Sequence, residues 1–277
     1  MFTETVSDKF TRSATRLSHS WHWLRTDFAE EFRQILADGA DRDDSGNEIL
    51  WNTRHKYTVK IRTSAGRVVA LKHYRKLRFF PYVHHRTPVA AEALNYQRML
   101  DLGLPMAQLL AVGDTRHFFR PITSFIVTEF AANCRDGGVF RPGRDMEQKT
   151  VWRNEFIRRN FILLAKLHDA GIYHRGFTPM NELWRPAAVP DAAGNQLEIV
   201  WIDVASCRKL PSFVLRKKIP DDLVNFLHFF RFTPEEIREF LQVYCDAVKV
   251  VRYAPEELFR EVERRLEIRL QKKKKHV

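Results

Sequence analysis

The chain has 277 residues, 44% of them hydrophobic and 29% charged, with a formal net charge of +12. That is enough for one large domain or two smaller lobes with a sizeable core, and no apolar run reaches the ~18–20 residues needed to cross a bilayer. Three widely spaced cysteines, Cys134, Cys207 and Cys245, argue against a disulfide framework or a cysteine metal site and point to a reducing compartment.

In chain order, MFTETVSDKFTRS carries acidic residues and no apolar core, so a signal peptide is not expected and a cytoplasmic setting is. Residues 1–48 read as an N-terminal extension, helical and partly flexible: DFAEEFRQILADGA has helical spacing, and DGADRDDSGNE is a Gly/Asp-rich break. From Ile49 the pattern changes. YTVKIRT and RVVALKHY alternate around the turn residues SAG, which predicts a β-hairpin. TPVAAEALNYQRMLDLG follows as a helix closed by Gly103, with Val89, Ala93, Tyr96 and Leu100 at helical spacing. MAQLLAVGD and SFIVTEF then read as strands. Beyond them come a long amphipathic helix ending at Gly171, two strand-like runs (NELWRP and LEIVWIDVAS) and helices to the end. No internal repeat is visible.

Four positions could carry chemistry together. Lys72 lies near the end of the second hairpin strand, Glu92 on the next helix and Asp203 at the end of the apolar run IVWID. Ahead of Asp203 stands His174-Arg175-Gly176, with Asn181 five residues after the glycine. Singly, each is an ordinary surface or turn residue. In this order they resemble protein kinases, where the strand lysine meets nucleotide phosphates and a helix glutamate, and Asn and Asp hold magnesium. A phosphoryl group dense in negative charge calls for an ammonium and a metal, and a hard cation for amide and carboxylate oxygens.

The segments AAEALNYQRMLDLGLPMAQLLAVGD, LLAKLHDAGIYHR and VWIDVASCRK narrow the likeness. They resemble the bacterial lipopolysaccharide core kinases that phosphorylate heptose or Kdo, over about Ile49 to Leu227. The resemblance implies an α+β, two-lobed protein-kinase-like fold: a small β-rich N-lobe with one key helix over 49–131, and a larger, mainly helical C-lobe over 132–277 with a basic C-terminal tail. It also implies ATP and Mg²⁺ as cofactors. Lys72 would meet the phosphates with Glu92 as its ion-pair partner, and Asn181 and Asp203 would hold the metal. His174 and Arg175 would shape the loop, and backbone groups of Glu129, Phe130 and Ala131 would face the adenine.

Two departures stand out. LWNTRHKYTVKI contains no glycine, so the lid over the phosphates would be built from Asn52, Arg54, His55 and Lys56. At Gly176 the family pattern has the aspartate that orients the acceptor hydroxyl; Glu182 is the nearest carboxylate in sequence. The expected reaction is transfer of a phosphoryl group from ATP to a lipopolysaccharide inner-core sugar, the alternative a nucleotide-binding pseudokinase acting as an envelope scaffold. The basic segments LKHYRKLRFF, VLRKKIP and RLQKKKKHV suit a lipid-linked saccharide and the anionic face of the inner membrane. No recognised nucleic-acid-binding motif accompanies the charge, and nucleic acid is not expected as partner.

Overall fold

The computed structural model describes residues 10–11, 17–75, 88–117, 120–142, 149–190, 194 and 196–274, and side chains from residue 24 onward within these except at 88, 115–117, 120–122, 149–150 and 272–274. The basic run after Arg75 and the last lysines of the tail fall outside what is described of side chains. The chain divides into two compact units, residues 1–96 with 107–130, and 97–106 with 131–277.

Unit 1 is built on one antiparallel sheet. Its strands are β1 (Phe10–Thr11), β2 (Leu17–Leu24), β3 (Glu48–Asn52), β4 (Lys56–Arg62), β5 (Val68–Tyr74), β6 (Leu109–His117) and β7 (Arg120–Glu129), in the order β1-β2-β6-β7-β5-β4-β3. The β4–β5 hairpin pairs as the alternation predicts, with Val59 opposite Leu71 and Ile61 opposite Val69. These residues face one side, where α1 (Ala29–Ala37) lays down Phe32, Ile35 and Leu36 beside Phe28. Tyr57, Leu110, Phe125 and Val127 complete this core. Burying a large apolar side chain contributes roughly 1.5–3 kcal/mol, so α1 is an integral layer. The segment expected as an extension therefore contributes two strands, β1 and β2, and a core helix to unit 1.

The helix α2 (Pro88–Asp101) follows. Its buried residues are Val89, Glu92, Asn95, Tyr96 and Met99, a stripe at helical spacing that includes two polar side chains. The apolar pattern alone had picked Val89, Ala93, Tyr96 and Leu100; Ala93 and Leu100 are only half-buried.

Unit 2 centres on the 21-residue α3 (Lys149–Asp169), which buries Phe156, Ile157, Asn160, Phe161, Leu164 and His168. Around it lie β8 (Arg135–Asp136), β9 (Ile172–Tyr173), β10 (Glu182–Pro186), β11 (Leu197–Trp201) and β12 (Arg208–Lys209). β10 pairs antiparallel with β8 and β11, and β9 with β12. Three helices close the chain: α4 (Ser212–Leu227), α5 (Pro234–Ala247) and α6 (Pro255–Lys274). From the sequence, DDLVNFLHFFR, which begins at Asp221, reads as the start of α4. It starts nine residues earlier and carries Pro220 inside, losing one backbone bond while Leu215, Ile219 and Leu223 are buried. Trp201 is fully buried, and its Nε1 donates to Asn160 Oδ1 at 2.7 Å. No helix among the described residues is long and apolar enough to cross a membrane.

Candidate active site

Alternation along β5 sends Val69 and Leu71 to the core and Ala70, Lys72 and Tyr74 to the opposite face. On that face Lys72 Nζ stands 3.0 Å from Glu92 Oε1 and 3.2 Å from Oε2, and the Tyr74 hydroxyl donates to Oε2 at 2.8 Å. The Glu92 side chain is 1% exposed and that of Lys72 13%. A carboxylate so far from water needs a cation and a hydrogen-bond donor, and the structure supplies both.

The turn joining β3 to β4 works without glycine because Thr53 closes it. Thr53 N–H donates to the Lys56 carbonyl at 2.8 Å, and Lys56 N–H donates to Thr53 Oγ1 at 3.1 Å. Arg75 Nη1 holds Asn52 Oδ1 at 3.0 Å and the Thr53 carbonyl at 2.7 Å. Of the four residues expected as a lid, Arg54 and His55 are exposed, Asn52 is tied to Arg75, and Lys56 is half-buried.

Where the chain passes from unit 1 to unit 2, Glu129 N–H donates to Gln108 and Phe130 N–H to Val68. The Ala131 carbonyl accepts from Cys134 N–H at 3.3 Å. The Ala131 N–H has no partner among the described residues, which leaves a donor for a heterocyclic base.

In unit 2 the loop from His174 to Asn181 is clamped through its backbone. Asp222 of α4, fully buried, accepts from the N–H of His174 at 2.9 Å and of Arg175 at 2.8 Å. The carbonyl of His174 accepts from Ser206 Oγ at 3.3 Å, that of Arg175 from Asn225 Nδ2 at 3.3 Å, and that of Gly176 from Asn181 Nδ2 at 2.9 Å. Arg175 is held at φ 64 and Asp203 at φ 55, a left-handed conformation costing non-glycine residues roughly 1–2 kcal/mol. Backbone strain of this kind concentrates at functional sites. The Arg175 side chain itself is exposed.

The His174 ring is fully buried between Phe177, at 5.5 Å between centroids, and Trp201, at 5.6 Å. Burial holds its pKa below the usual histidine value, against the opposing pull of Asp222 and Asp203, so it is a neutral packing element near pH 7. Glu182 is also fully buried, and neither carboxyl oxygen has a well-formed hydrogen bond. Burial first and the charge of Asp222 second push its pKa well above the carboxylate range; backbone N–H groups of Glu182 and Thr178 offset this only partly. Fully buried and pushed toward its neutral form, Glu182 is not placed to act as the base in place of the aspartate absent at Gly176.

The donor set suits magnesium. With its Nδ2 donated to Gly176, Asn181 keeps Oδ1 turned to the other side as a hard oxygen ligand, and Asp203 offers a carboxylate. Among the described residues no group of three or more His, Cys, Asp or Glu could hold a metal by itself. Magnesium bound with nucleotide asks for less, using one or two protein oxygens with phosphates and water.

Two elements of the loop were not anticipated. Asp222 anchors it and links onward, through His168 Nε2 at 3.2 Å and from His168 Nδ1 to the Tyr244 hydroxyl at 2.8 Å. The signal was present: Asp222 falls three residues after Ile219 and four before Phe226, on the buried stripe of α4. Ser206 offered no sequence signal, because its meaning depends on Gly176.

Among solved structures, WaaP in complex with acyl carrier protein matches at 17% identity and a TM-score of 0.61, covering 91% of this chain and 98% of that one. A Stt7 homologue from Micromonas algae, soaked with ATP, is 13% identical and covers 58% of this chain and 49% of that one at a TM-score of 0.39. No curated protein matches in sequence. The fold is that of WaaP, α+β and protein-kinase-like. The lipopolysaccharide kinase (Kdo/WaaP) family matches residues 55–244, well over half of the chain and inclusive of Lys72, Glu92, Asn181, Asp203 and Asp222. The protein belongs to the lipopolysaccharide kinase (Kdo/WaaP) family.

Proposed function

We propose that the protein transfers the γ-phosphoryl group of ATP to a hydroxyl of a lipopolysaccharide inner-core sugar, heptose or Kdo. The observation that carries this reading is the formed Lys72–Glu92 pair, with Nζ 3.0 Å from the carboxylate, in a chain of a kinase family. Lys72 binds ATP phosphates. The Ala131 N–H, with the backbone of Glu129 and Phe130, meets the adenine. Asn181 and Asp203 hold Mg²⁺, which neutralises phosphate charge when bound. Arg54 and His55 approach the phosphates in place of a glycine-rich loop. His174 and Arg175 set the course of the loop, which Asp222 fixes. Phosphoryl transfer depends mainly on positioning and charge neutralisation, so a clamped loop supports turnover even though Gly176 offers no base.

Gly176 favours a second reading, a nucleotide-binding pseudokinase that scaffolds envelope assembly. The two separate in one assay. Metal-dependent phosphorylation of an inner-core saccharide, lost in Asp203→Ala, supports the enzyme; stabilisation by Mg-ATP without any turnover leaves only the pseudokinase.

The same proposal puts the reaction at the cytoplasmic face of the inner membrane. Arg208 and Lys209 of β12 and Phe213 (68% exposed) and Lys217 of α4 are exposed basic and aromatic residues close in sequence, and each Lys or Arg at an anionic surface contributes ~1 kcal/mol. Arg216 and Lys218 nearby are paired with Glu257 and Asp221. Sedimentation with phosphatidylglycerol vesicles and not with phosphatidylcholine vesicles is expected; equal recovery from both counts against the membrane site.

A further inference from the structure

At Gly176 the point from which a side chain would start is crowded. A Cβ built on Gly176 would stand 2.9 Å from Ser206 Oγ, with His174 Nδ1 at 3.9 Å and Asn181 Nδ2 at 4.0 Å. Non-bonded carbon and oxygen do not approach so closely without repulsion. Gly176 is not among the glycines with positive φ, so its backbone would admit a side chain. Ser206 is the residue whose hydroxyl would have to turn aside for one. It lies three residues after Asp203, half-buried, and its hydroxyl donates to the His174 carbonyl at 3.3 Å. With its proton turned to that carbonyl, the oxygen lone pairs of Ser206 can accept from a further donor.

We propose that Ser206 is the acceptor-orienting residue of this loop, its hydroxyl oxygen, which stands beside Gly176 where a side chain would begin, accepting the hydrogen bond of the sugar hydroxyl. The inference rests on the kinase reading above. In the transfer, the acceptor oxygen bonds to the γ-phosphorus and the bond from that phosphorus to the bridging oxygen breaks, its electron pair leaving with ADP. The acceptor proton passes to an oxygen of the transferred phosphoryl group and then to solvent. Ser206 takes up no net proton; it aligns the nucleophile, which suits a reaction governed by positioning.

The test uses the full chain, ATP, Mg²⁺ and a deacylated inner-core saccharide. Ser206→Ala lowers kcat about tenfold, the rate equivalent of one neutral hydrogen bond, with KM for ATP unchanged, and Ser206→Thr restores most of it. The wild-type kcat/KM lacks the acidic limb that a carboxylate base imposes, and Gly176→Asp/Ser206→Gly acquires that limb. Full kcat in Ser206→Ala with an unaltered pH profile overturns the orienting role. Melting separates packing from chemistry: Gly176→Asp lowers Tm, and adding Ser206→Gly recovers most of the loss. Equal Tm for Gly176→Asp and the wild type overturns the crowding of one side chain by the other. Wild-type protein that binds Mg-ATP without turning over defeats the kinase reading and the orienting role with it, while the melts still decide the packing.

Discussion

Glu92 and Glu182 are both buried carboxyl groups, and their surroundings treat them oppositely. Glu92 receives the Lys72 ammonium and the Tyr74 hydroxyl; Glu182 receives no comparable donor. Removing the cation with Lys72→Met leaves a buried carboxylate with one neutral partner, which costs about 3 kcal/mol. Denaturant unfolding followed by a probe in unit 1 measures it, and loss of Mg-ATP binding in the same variant checks the functional role. Glu182 predicts the reverse. Its folded pKa lies above its unfolded one, so its contribution is fully present below the ordinary carboxylate pKa and is lost as pH rises. Glu182→Gln therefore melts close to wild type near pH 4 and above it at pH 8. A variant less stable than wild type at pH 8 contradicts the neutral-acid assignment. His174 acts in the other window: with its pKa depressed, it adds a loss of stability as pH falls below about 6.5, the ordinary histidine value.

Elements show where sequence patterning succeeds and where it stops. The β4–β5 hairpin was legible because alternation holds over both strands, with Val59, Ile61, Val69 and Leu71 all inward. β3 was not, because all five of its residues are exposed and an edge strand with no buried face carries no alternation. α4 begins earlier than the helical run DDLVNFLHFFR suggests, since the apolar packing that sustains a helix through Pro220 is tertiary information. The loop between β9 and β10 was recognisable from His174, Arg175 and Asn181, yet its two supports, Asp222 and Ser206, act only through contacts distant in sequence. Asp222→Ala tests the stronger support. It strips partners from two buried N–H groups and from His168, at a cost of about 3 kcal/mol or more, and lowers kcat more than KM for ATP. A variant that loses stability but keeps wild-type kcat would show that the clamp serves folding alone.

At the scale of the molecule, the two units were visible as a change from strands to helices. The contribution of residues before 49 was not: β2 pairs with β6 along most of its length and α1 covers the sheet, although both precede the matched family region, which starts at residue 55. The net charge of +12 predicts that vesicle binding weakens steeply as salt rises from roughly 0.1 M to 1 M, where the screening length falls from about 10 Å to 3 Å. Binding that is indifferent to salt would move the contact from charge to Phe213. The hydrogen-bonded chain from Tyr244 through His168 and Asp222 to the loop amides also sets a boundary on how short a working protein can be. The family region ends at residue 244, the residue at which that chain begins. Trimming from the C-terminus removes α6 and weakens the fold first; trimming past Tyr244 removes the far support of the loop itself.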